Sequence, residues 1–300
     1  MPSASKSLSP LTQILVRAAP LTFALLWSSG FIVAKYAAPD ADPFTFLTVR
    51  FGSAILILLL LALASGASWP RSAREAGHSM MAGVLLHGGY VGGVWWAVAH
   101  GLPAGIAGLI TAGQPLLTAL LAAPLLGERV TRLQWCGIVA GFIGIVLVLA
   151  PRLAGVALGA IALPMLANAG ATVSVTLGTF YQKRFVPATD LRTGTCLQYV
   201  GALAVVLPLA LATETLRLDP TVTLLASLAW SVLVMSIAAI VLLLMMIRHG
   251  ELSRVAALIY LVPPLTVVEA YILFGERLDA IQIAGVAVTV AGVWLATRRR

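Results

Sequence analysis

Ten apolar runs dominate this sequence, at residues 20–37, 43–64, 77–99, 104–126, 132–150, 155–182, 191–212, 222–247, 252–274 and 279–297. Each is long enough, at about 1.5 Å per residue, to cross a hydrocarbon core of about 30 Å as a helix. The chain is 60% hydrophobic and only 10% charged, where a soluble domain carries about 25% charged residues. These features predict an all-α polytopic membrane protein with ten transmembrane helices. The connectors are short, so none holds a separate catalytic or nucleic-acid-binding domain. The net charge of +8 is therefore a membrane signal.

The basic residues divide unevenly between the two sides. With the N-terminus in the cytoplasm, that side receives Lys6, Arg17, Arg71, Arg74, Arg129, Arg132, Lys183, Arg184, Arg192, Arg248, Arg254 and Arg298 to Arg300, which is 14 of the 19. The opposite side keeps Lys35, Arg50, Arg152, Arg217 and Arg277. The positive-inside rule then predicts a bacterial-type cytoplasmic (inner) membrane protein with residues 1–19 and 298–300 both cytoplasmic. Lys6 and Arg17 before an apolar run imitate a signal peptide, but residues 20–37 have a counterpart later in the chain and read as a retained span. Cys136 and Cys196 lie in different runs without CxxC or Cys/His spacing. They read as small core residues, with no disulfide, metal or cofactor implied.

The chain is written twice. Gly127-Glu128-Arg129 returns as Gly275-Glu276-Arg277, 148 residues later, and at the same offset Lys35 matches Lys183, Pro39 matches Pro187, Asp42 matches Asp190, Pro115 matches Pro263, Thr118 matches Thr266, Gln134 matches Gln282 and Gly144 matches Gly292. The two units are residues 20–150 and 155–297, each with five spans. An odd number of spans starts the second unit from the opposite side of the membrane, so the expectation is an inverted repeat about a pseudo-twofold axis in the membrane plane. Many secondary transporters are built this way, with the substrate site near the midplane between the copies.

Trp27-Ser28-Ser29-Gly30-Phe31 followed by Lys35, and the two Pro-, Leu- and Thr-containing runs that lead to Gly-Glu-Arg, a Gln and spaced glycines, resemble the drug/metabolite transporter superfamily. More narrowly, the chain is similar to the ten-span branch with paired EamA-type domains, and among those to exporters of amino acids, including aromatic ones. The resemblance implies a central cavity lined by spans 3, 4, 8 and 9, helped by 1, 2, 6 and 7, with spans 5 and 10 at the periphery.

The residues argue for a cavity independently. Pro115 and the Pro263-Pro264 pair fall at the middles of spans 4 and 9, where a missing backbone donor frees a carbonyl that lipid cannot satisfy; they read as hinges or cavity wall. Span 3 carries Gly88, Gly89, Gly92 and Gly93, small residues that admit close helix packing, beside His87, Tyr90, Trp95 and Trp96. His87 either bonds a neighbouring carbonyl or lines the cavity, and the two tryptophans read as interfacial anchors. Ser28, Ser29, Gln114, Asn168 and Tyr260 stand at similar depth, either joining helices or forming one polar spot, and Trp27, Tyr90, Tyr199 and Trp230 offer aromatic faces. The candidate substrate set is His87, Tyr90, Gln114, Asn168, Tyr260, Trp27 and Ser28. The glycines of spans 5 and 10 are expected to pack helices.

No lysine or arginine is expected at the centre of a span, which disfavours multiply charged phosphates and favours a neutral or zwitterionic metabolite such as an amino acid. His87 and Glu269, the clearly intramembrane carboxylate, are the candidates for proton coupling if any exists. There is no HExxH, no GxSxG and no pair of intramembrane aspartates, so the chain is not expected to be an enzyme. The expected function is a secondary transporter exporting amino acids by alternating access, without a cofactor or nucleic-acid partner and working as a monomer in lipid. The alternatives are a multidrug or cationic-drug exporter, a passive small-solute channel and an intramembrane enzyme.

Overall fold

Several helix starts have a visible chemical cause. Thr131 and Gln134 close a reciprocal capping box, with the Gln134 amide donating to Thr131 Oγ1 at 3.3 Å and the Thr131 amide to Gln134 Oε1 at 2.8 Å. Asp279 and Gln282 repeat the device, at 2.8 Å and 3.1 Å. The matched glutamines of the sequence are thus matched caps. Ser72 and Thr221 accept from the amides of Glu75 and Leu224 in the same way. Gly275, in the second Gly-Glu-Arg, has φ of 65° and donates its amide to the Tyr271 carbonyl, a left-handed helix end that glycine tolerates without strain.

The computed structural model describes residues 10–114, 116–118, 120–121, 131–155, 158–186, 190–238, 242, 262–275 and 277–297. Its helices are α1 (Pro10–Ala37), α2 (Pro43–Ala64), α3 (Ala73–Ala99), α4 (Ala104–Thr118), α5 (Arg132–Gly155), α6 (Leu158–Phe185), α7 (Leu191–Thr213), α8 (Val222–Ala238), α9 (Val262–Phe274) and α10 (Ala280–Thr297). Among the described residues the only extended pairing is an isolated bridge between Ala41 and Leu218. Pro43–Ala64, Ala73–Ala99, Ile161–Phe185 and Leu191–Thr213 are by themselves long and apolar enough to cross a membrane. Where the residues are described the helices follow the apolar runs closely, except that α1 starts ten residues before its run because Pro10 to Ala19 are also helical; residues 122–126, 243–247 and 252–261 of the fourth, eighth and ninth runs lie outside the described residues.

Three helices are interrupted. Val84–Gly89 in α3 and Trp230–Ala238 in α8 are π-helical, at overlapping positions of the two units. In α4 the helix leaves α geometry after Thr111, and Gly113 donates to the Ile110 carbonyl in a tighter turn. Pro115 lies outside the described residues. Pro263 and Pro264 open the described part of α9, so no internal α9 hinge is visible among the described residues.

Packing joins residues 20–150 to residues 155–297 at two helix pairs in particular. Gly144 of α5 abuts Gly285 and Thr289 of α10, Gly141 abuts Gly292, and Gln282 donates to the Val148 carbonyl at 3.0 Å. Rising numbers in α5 therefore meet falling numbers in α10, and the glycines pack helices as expected. α2 and α7 also run antiparallel: Glu214, just past α7, accepts from the amides of Phe44 and Thr45 at the α2 start at 2.8 Å and 2.7 Å. At the other end Arg192 donates to Ser65 and Thr193 donates to the Ser68 carbonyl. Both ends of the α2–α7 pair are thus tied by side chains capping the neighbour.

The Glu214 end forms a clasp. Asp42 accepts from the Thr215 hydroxyl at 2.9 Å, the Arg217 amide at 3.0 Å and the Thr215 amide at 3.1 Å. Partial burial pushes the Asp42 carboxyl up, but the Arg217 and Thr215 hydrogen bonds and the Arg217 charge outweigh it and hold the group below its ordinary value of 3.8. A depressed folded value means that this stability is present above the ordinary value and is lost as pH falls through the folded one. The unfolding midpoint of detergent-purified protein is expected to drop on acidification below about pH 4. Asp42→Asn is expected to lower the neutral midpoint and make that acid drop shallower; an equally deep drop in the variant contradicts the clasp.

Candidate functional site

The π turn of α3 turns His87 towards α7 and α2. A π turn leaves backbone carbonyls without their usual i+4 donors, and such turns recur at functional sites. Ser174 of α6 donates to the Leu85 carbonyl within the turn at 2.8 Å. His87 Nε2 faces Gln198 Oε1 of α7 at 3.3 Å, so the ring nitrogen is the donor in this pair. Its ring lies 4.7 Å from that of Tyr199 and 6.2 Å from that of Phe51. Tyr199 and Phe51 stack at 5.2 Å, 18° from parallel. The Tyr199 hydroxyl donates to Ser236 Oγ at 2.9 Å, and Ser236 in turn to the Ser231 carbonyl at 3.0 Å, inside the π segment of α8. One aromatic pair therefore links the π segments of both units.

Phe51 and Tyr199 are repeat counterparts, 148 residues apart, and so are Arg50 and Gln198. Arg50 was expected among the residues of the outer face; instead it is 5% exposed inside the bundle. Its guanidinium carbon sits 5.7 Å from the Phe51 ring and 6.0 Å from the Trp95 ring. Nε and Nη1 have no hydrogen-bond partner. The expectation concerned the centres of the spans; Arg50 stands seven residues inside α2, its charge held off lipid by aromatic faces, a burial that a run of apolar neighbours in sequence does not reveal. Trp95 is likewise no interfacial anchor. It is buried and stacks on Phe46 at 4.5 Å, whereas Trp96 stacks on His100 near the helix end.

A second polar group joins α1 to α9. The Ser28 hydroxyl lies 2.7 Å from Glu269 Oε1 and 2.9 Å from the Leu25 carbonyl oxygen, two acceptors for its single proton. Glu269 Oε2 is buried without a partner. Tyr90 is buried in α3 and interacts with Trp27, whose own ring is 44% exposed. Trp230 donates to Ser29 Oγ at 3.0 Å, again joining α8 to α1.

The other candidates divide. Asn168 is fully buried in α6 and donates from Nδ2 to the Ala107 carbonyl of α4 at 3.0 Å, with Oδ1 unpartnered; it fastens two helices and keeps one acceptor open. Gln114, partly buried, reaches Thr179 Oγ1 of α6 at 3.5 Å. Tyr260 lies outside the described residues. The structure thus brings His87 together with Arg50, Gln198, Tyr199 and Phe51, Arg50 together with Trp95, and Ser28 together with Glu269. Sequence reasoning missed Arg50 and Gln198 as site residues; their shared register across the repeat was the signal available.

A model of the EamA-like transporter family matches residues 15–150 and again residues 162–298. The inner membrane transporter YedA of Escherichia coli (strain K12), itself uncharacterized, is 26% identical over 274 residues, covering 91% of this chain and 87% of its own. A Salmonella typhimurium protein named "Probable amino-acid metabolite efflux pump" is 25% identical over 286 residues, covering 92% of each chain. A solved crystal structure superposes with a TM-score of 0.68 over 94% of this chain and 96% of the other at 20% identity, so the fold is shared.

Proposed function

As the chain belongs to the EamA-like transporter family, we propose that it is a secondary transporter that exports small zwitterionic metabolites, amino acids including aromatic ones, by alternating access of two inverted five-helix repeats. The observation that carries this reading is the stack of Phe51 on Tyr199, equivalent residues of the two units meeting each other with His87 beside them. Equivalent residues touch in this way where a pseudo-twofold axis passes between them. The antiparallel course of α5 against α10 and of α2 against α7 supports inversion, because parallel duplication would run equivalent helices the same way.

Several features support the substrate class. Rings of Phe51 and Tyr199 flank His87, which bonds Gln198, and rings of Phe51 and Trp95 flank Arg50, giving the mixture of apolar wall and few polar groups that a small amphipathic solute requires. A relative is named as an amino-acid metabolite efflux pump, which also motivates the outward direction. The same relatives motivate the inner membrane, with both termini cytoplasmic from the basic residues; a C-terminal reporter active only outside the cell contradicts that orientation. Pro115, Pro263 and Pro264 are the proposed pivots, and one chain supplies both units, so a monomer suffices.

Uptake of a labelled amino-acid panel into liposomes containing only this protein tests the reading, and absence of flux for every amino acid sinks it. His87→Ala removes the partner of Gln198 and one wall of the aromatic group. It is expected to lower export about tenfold while the protein still elutes as a single folded species; unchanged kinetics return His87 to a packing role. Transport is expected to run down the substrate gradient. An accelerating effect of an imposed pH gradient, abolished in Glu269→Gln, instead makes Glu269 and His87 a proton path. The unpartnered Oε2 of Glu269 is the observation favouring the second reading, a cationic-drug exporter, and the panel should therefore include a lipophilic cation.

A further inference from the structure

Arg50 stands seven residues inside α2, about 10 Å along the helix from its Pro43 end. No salt bridge among the described residues involves it: Arg192 pairs with Asp190, and Arg217 with Asp42 and Asp219. Its repeat counterpart Gln198 bonds His87, whereas Arg50 Nε and Nη1 bond no atom of the described residues. The Tyr199 hydroxyl is the one hydrogen-bond partner of the guanidinium among the described residues, and a buried cation facing no carboxylate is expensive inside a membrane protein. The neighbouring side chains do not lower that cost with negative charge. They are two aromatic faces from Phe51 and Trp95, the Tyr199 hydroxyl and the His87 imidazole.

Nε and Nη1 stand on different edges of the guanidinium, so each can give a carboxylate oxygen one charge-assisted hydrogen bond. One fixed positive charge balances one negative charge, which suits a carboxylate better than a multiply charged phosphate. The surrounding rings offer apolar area to the remainder of the same molecule. Resting on the export of zwitterionic solutes argued above, we propose that Arg50 is the anchor for the substrate carboxylate, with Phe51 and Trp95 holding the guanidinium in the plane in which it accepts that group. The unit-to-unit difference between Arg50 and Gln198 then gives the otherwise duplicated site a single polarity, with the acid end of the substrate directed to α2.

The test uses purified full-length protein in liposomes and compares phenylalanine, leucine and threonine, each labelled, with their carboxamides. The wild type is expected to carry at least one of the acids about tenfold faster than its amide. Arg50→Gln is expected to bring that ratio close to one by raising the KM of the acid about tenfold, and Arg50→Lys, which keeps the charge but loses the Nε donor, to fall between. Equal wild-type flux of acid and amide overturns the anchor, as does an undiminished ratio in folded Arg50→Gln. If Arg50→Gln does not fold, the wild-type ratio and Arg50→Lys still decide. No flux of any acid in the wild type overturns the amino-acid reading itself and the anchor with it, an outcome distinct from flux that ignores the carboxylate.

Discussion

Gly201→Val is expected to leave no folded protein in the membrane fraction. A Cβ built on Gly201 of α7 falls on the Met80 carbonyl oxygen of α3, with the carbonyl carbon at 2.6 Å and the Cα at 2.8 Å. Gly83 of α3 meets the Gln198 backbone of α7 in the same manner. The obstacle is main chain on both sides, so no rotamer change clears it, and the helices must separate. Overpacking a core costs about 1–3 kcal/mol where side chains can shift, and backbone displacement adds to that. Separation also pulls His87 away from Gln198 and Tyr199. Gly170→Val is the control, because nothing lies within 4 Å of its Cβ position and the fold is expected to survive. A sharp, monodisperse elution profile for Gly201→Val in detergent contradicts the close α3–α7 approach.

Tying the end of α3 to the end of α9 is expected to stop transport outright. His100 and Arg277 are exposed just beyond these helices, which belong to different units. Cysteines at the two positions, in a Cys136→Ser background, joined by a reducible bifunctional thiol reagent, hold the two helix ends at a fixed separation. Native Cys196 is buried and does not compete. Alternating access requires the two ends to change width in opposite senses, so flux is expected to vanish on linking and return on reduction. Each single-cysteine variant treated alike should keep its flux. Transport that continues in the linked protein removes rocking of one unit against the other from the mechanism.

The helices were legible because spans in lipid are long, apolar and separated by polar connectors. α2, for instance, begins at Pro43 and ends at Ala64, as its apolar run does. Matched caps were also legible as coincidences at one offset, although the identity of Gln134 and Gln282 as capping-box partners needed geometry. Asp42 and Asp190 match in sequence yet differ in duty. Asp190 caps its own helix and pairs with Arg192, while Asp42 holds the backbone beyond α7.

The π turns were not legible, since Val84–Gly89 and Trp230–Ala238 are as apolar as any α segment and a one-residue change of hydrogen-bond register leaves composition untouched. Arg50 was misread for a related reason. Eight residues past Asp42, it can snorkel outward or turn inward, and only the positions of Phe51 and Trp95 decide between the two. His87 was found because an imidazole in an apolar run is conspicuous. Its partner Gln198 was overlooked in a helix whose other polar groups serve packing.

Counterflow tests the central claim, that this chain is a carrier which exposes one site alternately to the two sides. Liposomes containing only the protein are loaded with unlabelled amino acid and diluted into a trace of the labelled form. A carrier exchanges the two through the same site, so label is predicted to rise transiently above its equilibrium level and to saturate with increasing concentration. Label that only relaxes monotonically to equilibrium, without overshoot or saturation, contradicts alternating access and identifies an open passage instead.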